Sequence, residues 1–392
     1  MNYILFDGAS RINLLPLTYT KPVAEIRIGI LTIREKWEKR LTSTTTTLTE
    51  DYLQDKYPMV EMEENVMINA SFLPTEHLAH IVMNLKENQM VIKDDDIIAF
   101  FTKNTQEEVN FDAYDAITFD EPLIQLNHTW DIFNYNGEAI KADFDLVTKG
   151  RKSAPIPDSV YCINKEQIFL EDGVDIEIGV LNAKKGPIYL GRNSELMEGC
   201  MIRGPFAMGE YSVVKMGAKI YGSTSLGPKC KIGGEVNNAV LSGFCSKGHE
   251  GYLGNAVIGE WCNLGADTNN SNLKNNYAEV KMWDYEKERF QKTGLQFCGL
   301  VMGDHSKSGI NVMFNTGTVI GTFTNVYGSN FPRNFIPSFS WGGASGFTTY
   351  QMNKVKETAK LVMNRKNEDF TKEDEKILDH VFEITEKFRN FK

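Results

Sequence analysis

The 392-residue sequence predicts an α/β domain, a parallel β-solenoid and a helical tail, in that order. Three observations carry this. The chain opens on a short apolar run, Tyr3-Ile4-Leu5-Phe6, that halts at Asp7-Gly8, as a buried strand does where it turns into a loop. Its middle repeats with a period of six, which no helix can use. Beyond Gly346 a polar segment carries Val355, Ala359 and Val362, then Ile377, Val381 and Ile384, at helical spacing.

In the first part, residues 30–41 fit an amphipathic helix, residues 42–47 a loop or strand edge, and residues 74–87 a second helix starting near Thr75. Pro155 and Pro157 mark a connection. The expected division is therefore an α/β domain over 1–150, a linker over 151–170, the solenoid over 171–343 and the helical tail over 344–392.

The hexads are legible one by one. Leu190, Leu196, Ile202, Met208, Val214, Ile220, Leu226 and Ile232 are all aliphatic or Met. With 42% of the chain hydrophobic, eight such residues in one register have a chance of about one in a thousand. Four residues after each stands a mostly small one (Ser194, Cys200, Ser212, Ala218, Thr224), and glycine often follows directly, as at Gly191, Gly209, Gly227 and Gly233. Short strands joined by tight corners need this pattern: one aliphatic residue inward, a small one at the corner, and glycine where the turn requires it. The period restarts at Tyr252, Ile258 and Leu264, and again at Met302, Ser308, Phe314, Ile320 and Val326. Between them, residues 269–299 break it with the run Lys281-Met282-Trp283-Asp284-Tyr285-Glu286-Lys287-Glu288-Arg289. This reads as an excursion from the solenoid or as irregular coil edges, with a solvated hairpin as the plainer alternative.

Charge excludes one class of partner. Lysine and arginine number 42 against 52 aspartates and glutamates, a net charge of -10, and there is no basic stripe to follow a nucleic-acid backbone. No segment reaches 18 consecutive apolar residues and the start has no signal-peptide pattern, so a cytoplasmic protein without a membrane partner is expected. The six cysteines have no C-x-x-C spacing and read as reduced, structural thiols.

The hexads resemble the left-handed parallel β-helix of hexapeptide-repeat acyltransferases, which implies a homotrimer. Within them, "HEGYLG" places His249, Tyr252 and Gly254 ahead of Asn263 and Asn272. This spacing resembles the acetyltransferase half of GlmU-type bifunctional enzymes. The resemblance implies transfer of an acetyl group from acetyl-CoA to an amino-sugar phosphate or nucleotide sugar. His249 is then the base that takes a proton from the attacking amine, a task suited to an imidazole. Asn272 orients that histidine or the amine, and Tyr252 and Asn263 hold the sugar. The family's phosphate-binding arginine aligns with Lys215, but two of its lysines align with Asn237 and Ala278; Lys219, Lys231, Lys247 and Lys281 are the candidates to compensate.

The opening resembles that of sugar nucleotidyltransferases. There a glycine-rich loop, here Gly8, cradles phosphates, and Arg11 and Lys21 stand where the family has cations facing a nucleoside triphosphate attacked by a sugar 1-phosphate. The family's magnesium-binding Gly-Asp falls near residues 66–71, with Ala70 and Ser71 in those places. Asp94, Asp95, Asp96, Asp112 and Asp115 are the remaining carboxylates that could hold Mg2+. The combined expectation is a GlmU-type transferase with a shortened nucleotidyltransferase domain. Nucleotidyl transfer alone, with the solenoid serving oligomerisation, and a non-catalytic nucleotide-sugar scaffold are the alternatives.

Overall fold

The computed structural model describes residues 1–103 and 109–391. The first domain is built on a six-stranded sheet. Its strands are β1 (Asn2–Phe6), β4 (Thr45–Leu48), β5 (Asn65–Asn69), β6 (Gln89–Lys93), β7 (Asp96–Thr102) and β8 (Asp115–Thr118); β2 (Arg27–Ile28) and β3 (Leu31–Thr32) form a separate small hairpin. The spatial order is β4-β1-β5-β7-β6-β8, with β1 parallel to both neighbours and β7 antiparallel to both of its own. Ile4 and Leu5 of β1 are fully buried, as the apolar run requires. Helix α1 (Ile33–Leu41) starts at Thr32, whose side chain accepts from the Glu35 amide while Glu35 caps Thr32 in return. After a single turn, α2 (Asp51–Gln54), comes α3 (Glu76–Met83), capped by Thr75.

A 20-residue helix, α4 (Thr129–Thr148), joins this domain to the solenoid, and no sequence pattern announced it. It is buried on two sides, and its polar residues are satisfied there. The fully buried Asn136 accepts from the Gly29 amide (2.8 Å) and Ser225 Oγ (3.0 Å) and donates to the Ser223 carbonyl (2.7 Å), tying hairpin, helix and solenoid together. Asp143 pairs with the buried Lys36 of α1.

The solenoid is a parallel β-helix with three faces. Leu190, Met208 and Leu226 stack on one face, Leu196, Val214 and Ile232 on the next, and Ile202 and Ile220 on the third, each three hexads after the last. All are buried in one core. The first strand is Val160–Ile163, so the second half of the expected linker is already solenoid. The excursion appears where the register jumps from Ile258 to Met302. It forms an antiparallel hairpin, Lys281–Asp284 with Arg289–Lys292, but it is not simply solvated. Met282 and Tyr285 are buried, and Tyr285 meets Tyr19 of the first domain edge-to-face at 5.6 Å.

One solenoid corner carries a column of flat rings. Phe244, Trp261, His305, Phe323 and Phe339 all adopt left-handed backbone, with φ between 53° and 63°, and stack on successive coils at centroid spacings of 3.9, 5.9, 4.7 and 5.2 Å. The tail packs against this corner. Helices α5 (Met352–Asn364) and α6 (Lys372–Ile384) bring Phe382 edge-on to Phe339, and Arg389 lies over both rings. Of the six residues at helical spacing, Val355, Ala359, Ile377 and Val381 face the shared core, whereas Val362 is only half-buried and Ile384 is exposed.

Among the described residues no helix is long and apolar enough to cross a membrane. The six cysteines are unpaired, five of them buried.

Candidate functional site

His249 sits at the corner between two faces, following Ser246-Lys247 and preceding the strand Tyr252–Ile258, and it is exposed. Its position rests on one glycine and a lysine. Gly251 has φ 117°, and a Cβ there would come within 2.3 Å of the Thr268 carbonyl oxygen, so only glycine closes this turn. Lys247 occupies an inward, normally aliphatic position and is 1% exposed. Its ammonium donates to the carbonyls of His249 (2.7 Å) and Gly233 (3.0 Å), and burial holds its pKa down at about 8. Lys247 therefore does not face a ligand, contrary to its place among the compensating cations.

Tyr252 and Asn272 come together on the face beyond the corner. Asn272 Nδ2 donates to Tyr252 Oη at 3.0 Å and to Asn255 Oδ1 at 2.8 Å, and Asn237 Nδ2 reaches the same phenol at 3.5 Å. The glycine of "HEGYLG" explains how. A Cβ on Gly254 would lie 2.4 Å from Tyr252 Oη, so the ring lies flat across the strand only because that side chain is absent. Asn263 is exposed on the other face, beside Ser246 and Lys307, so the corner carrying His249 separates it from Tyr252. Lys215 lies along the same corner, its side chain packed against Gly233 and close to Gly248. Lys219 projects from the column that ends at Tyr252, 3.7 Å from Glu250. Asn255 and Asn237 were not singled out as ligands from sequence; their left-handed or corner-adjacent positions show only once the coils are stacked.

The second site is a cleft of about 700 Å3 at the end of β1 and β4, lined by Asp7, Gly8, Arg11, Glu50 and Tyr52 and closed by His380 of α6. Gly8 leaves room for the Asn69 amide, which a Cβ would meet at 2.7 Å. Arg11 is largely committed: Nε lies 3.0 Å from Asp7 Oδ2, and Nη2 donates to the Thr18 carbonyl (2.7 Å) and Tyr52 Oη (3.1 Å). His380 stacks on Tyr52 at 4.2 Å.

Lys21 does not line this cleft. Its ammonium is buried between Asp304 (2.9 Å) and Glu260 (3.0 Å) of the solenoid. Burial alone would lower its pKa, but these two carboxylates outweigh that and raise it, so it stays charged.

The cleft does not suit a magnesium ion. Ala70 and Ser71 follow β5 where a carboxylate would be needed, and Asp7 is engaged by Arg11, Thr49 Oγ1 (2.5 Å) and the Val23 amide (2.7 Å). Asp94, Asp95, Asp96, Asp112 and Asp115 are exposed, and the first three sit at the β6–β7 turn. Among the described residues no three His, Cys, Asp or Glu side chains converge closely enough to hold a metal.

A family model for sugar nucleotidyl transferases matches residues 3–152. The chain is 32% identical over 145 residues to a bifunctional sugar-1-phosphate nucleotidylyltransferase/acetyltransferase of Sulfurisphaera tokodaii, a match covering 36% of each chain. It is also 32% identical over 88 residues to the bifunctional protein GlmU of Methanocaldococcus jannaschii, covering 22% of this chain and 21% of that protein. A putative uncharacterized acetyltransferase of Escherichia coli, YaiX, is 25% identical over 147 residues, covering 37% of this chain and 63% of its own length. The matched segments thus span about a third of the first relative and less than two thirds of each of the others. Residues 3–152 are thus similar to the sugar nucleotidyl transferases, and they are set on a parallel β-solenoid in a chain that is similar in part to the GlmU-type bifunctional nucleotidyltransferase/acetyltransferases.

Proposed function

We propose that the chain is a two-site transferase of GlmU type. At the solenoid edge it moves an acetyl group from acetyl-CoA to the amine of an amino-sugar phosphate or nucleotide sugar. At the N-terminal cleft it takes a nucleoside triphosphate and a sugar 1-phosphate. The observation that carries the first half is the Tyr252–Asn272 hydrogen bond, on the strand that begins three residues after the exposed His249.

His249 accepts a proton from the sugar ammonium. It releases that proton to solvent; the freed amine attacks the thioester carbon, the C–N bond forms as the C–S bond breaks, and the second proton lost by the nitrogen passes through His249 to the departing thiolate. Tyr252, with its phenol already oriented by two asparagines, and Asn263 across the corner hold sugar hydroxyls; Asn272 fixes the tyrosine. Lys215 and Lys219 supply positive charge toward the acceptor phosphate. A homotrimer, the usual assembly of such solenoids, would bring a neighbouring face against this edge.

His249→Ala is the test. It should keep the wild-type melting temperature, because the side chain is exposed, and lose about 10² to 10⁴ in acetyl-transfer rate with an amino-sugar phosphate acceptor. A variant as fast as wild type would remove the histidine from the chemistry.

For the cleft, the commitment of Arg11 to Asp7 and Tyr52 and the absence, among the described residues, of a suitable metal carboxylate favour a second reading, in which the domain binds a nucleotide sugar without turning it over. Pyrophosphate release with common triphosphate and sugar 1-phosphate pairs in the presence of magnesium decides between them: release supports transfer, and nucleotide-sugar binding without release supports the scaffold.

A further inference from the structure

The excursion and the end of the chain enclose another cavity, of about 800 Å3, apart from both sites above. One wall is aromatic. Trp283 stacks on Phe335 at 4.2 Å and 8°, with Phe290 edge-on to it at 5.5 Å and Phe388 at 6.4 Å. Phe290 is 42% exposed, and the indole Nε1 of Trp283 is buried with no hydrogen-bond partner among the described residues.

The polar wall is basic in a chain of net charge -10. Lys274, Lys281, Arg333 and Lys387 line it against one carboxylate, Glu288, which is taken up by Lys387. Arg333 faces no carboxylate among the described residues; its guanidinium lies over Phe347 and Phe391, at 5.6 and 5.5 Å, and burial lowers its pKa. Lys281 has no ion pair among the described residues, and Lys274 donates to the Glu279 carbonyl (2.8 Å). Lys281 and Arg333, two cations without a carboxylate partner among the described residues, therefore stand beside the exposed Phe290 ring in a place that an anion carrying a flat ring would complete.

We infer that this cavity binds a nucleotide, its base against the Trp283–Phe290 wall and its phosphates on Lys281 and Arg333. Two sources share that chemistry: the 3′-phosphoadenosine diphosphate end of coenzyme A, and a nucleoside triphosphate or nucleotide sugar. Lys274, in the lining of the cavity, follows two residues after Asn272, which holds Tyr252, so one loop serves both the cavity and the solenoid face. Binding itself does not depend on the acetyl-transfer reading.

The test is calorimetric titration of the full chain with coenzyme A, adenosine 3′,5′-bisphosphate, ATP and UDP, each to about 5 mM, well above the range in which cofactor sites usually fill. At least one should bind, quench a tryptophan signal that Trp283→Phe lacks, and bind more weakly as salt rises. Arg333→Ala and Lys281→Ala should each weaken it by about tenfold with unchanged melting temperature, as loss of one charge-assisted contact does. Lys281 is exposed, so that variant carries the test even if Arg333→Ala folds poorly. His249→Ala should bind normally, which separates this site from the acetyl-transfer step. Coenzyme A and the bisphosphate binding without the others identifies the acyl donor; ATP or UDP alone identifies the second source. No binding by any of the four, or undiminished binding by the Arg333→Ala/Lys281→Ala double variant, overturns the inference.

Discussion

Replacing Lys21 by methionine separates two accounts of that residue. By resemblance it is a phosphate-binding cation; in the structure it neutralises Asp304 and Glu260 between two domains. Removing one partner of a buried ion pair costs about 3–5 kcal/mol, because the other charge is left uncompensated. Asp304 is 2% exposed but keeps two donors, Thr20 Oγ1 at 2.7 Å and the Glu260 amide at 2.8 Å, while the Glu260 side chain is 32% exposed and can rehydrate. Both points place Lys21→Met near the lower end, at about 3 kcal/mol. Adding Asp304→Asn should then recover about 1–2 kcal/mol, since the stranded charge is gone although the hydrogen bonds remain imperfect. Urea unfolding followed by the fluorescence of Trp261, which stacks beside His305 next to this pair, reads both variants. A Lys21→Met chain with the wild-type midpoint but no nucleotidyl transfer would refute the structural account and return Lys21 to the phosphates.

Lys247 predicts a pH dependence. Its folded pKa of about 8 lies below the ~10.4 of an unfolded lysine, so between these values the unfolded chain binds more protons and this residue makes stability rise with pH. Wild type should therefore gain on Lys247→Met from pH 8 to 10 by up to about 2 kcal/mol, and a constant or shrinking difference in unfolding midpoints would contradict the burial argument. Gly251→Ala should cost at least about 2 kcal/mol and slow acetyl transfer, whereas Gly248→Ala, where a Cβ meets nothing closer than 4.0 Å, should do neither; paired melting curves and rates check this. The proposed homotrimer predicts three chain masses by light scattering at micromolar concentration; a monomer there would rule it out.

Much of the fold was legible because a narrow solenoid admits one inward side chain per strand and coil, so Leu190 through Ile232 had to repeat. The period faltered after Ile232 because that coil is short, with Leu241 over Leu226 and Lys247 over Ile232, and because a lysine can take the inward place when two carbonyls accept its hydrogen bonds. Helix α4 stayed hidden because Asn136 and Asp143 look like surface residues until their partners on other elements are known. The excursion read as solvated because its charges dominate the composition, although Met282 and Tyr285 turn inward. At the candidate site, the local spacing of His249, Tyr252 and Gly254 was informative because all three lie within one turn and strand. Lys21 could not be read correctly from its neighbours, since Glu260 and Asp304 are far downstream in the sequence and only folding brings them near.

The placement of α6 has a consequence for biosynthesis. His380 closes the N-terminal cleft, Lys376 meets Asp55, and Ile377, Leu378 and Val381 complete a core that begins with Tyr3 and Leu5. Asp55 and Lys376 are 321 residues apart, so at about 5–20 residues per second a ribosome needs roughly 15–65 s to supply the second after the first. For that interval the nascent first domain exposes the apolar surface that the tail later covers, and its cleft lacks a wall. The domain made first is finished last, and chaperone demand should persist while the solenoid emerges and end only when the tail docks.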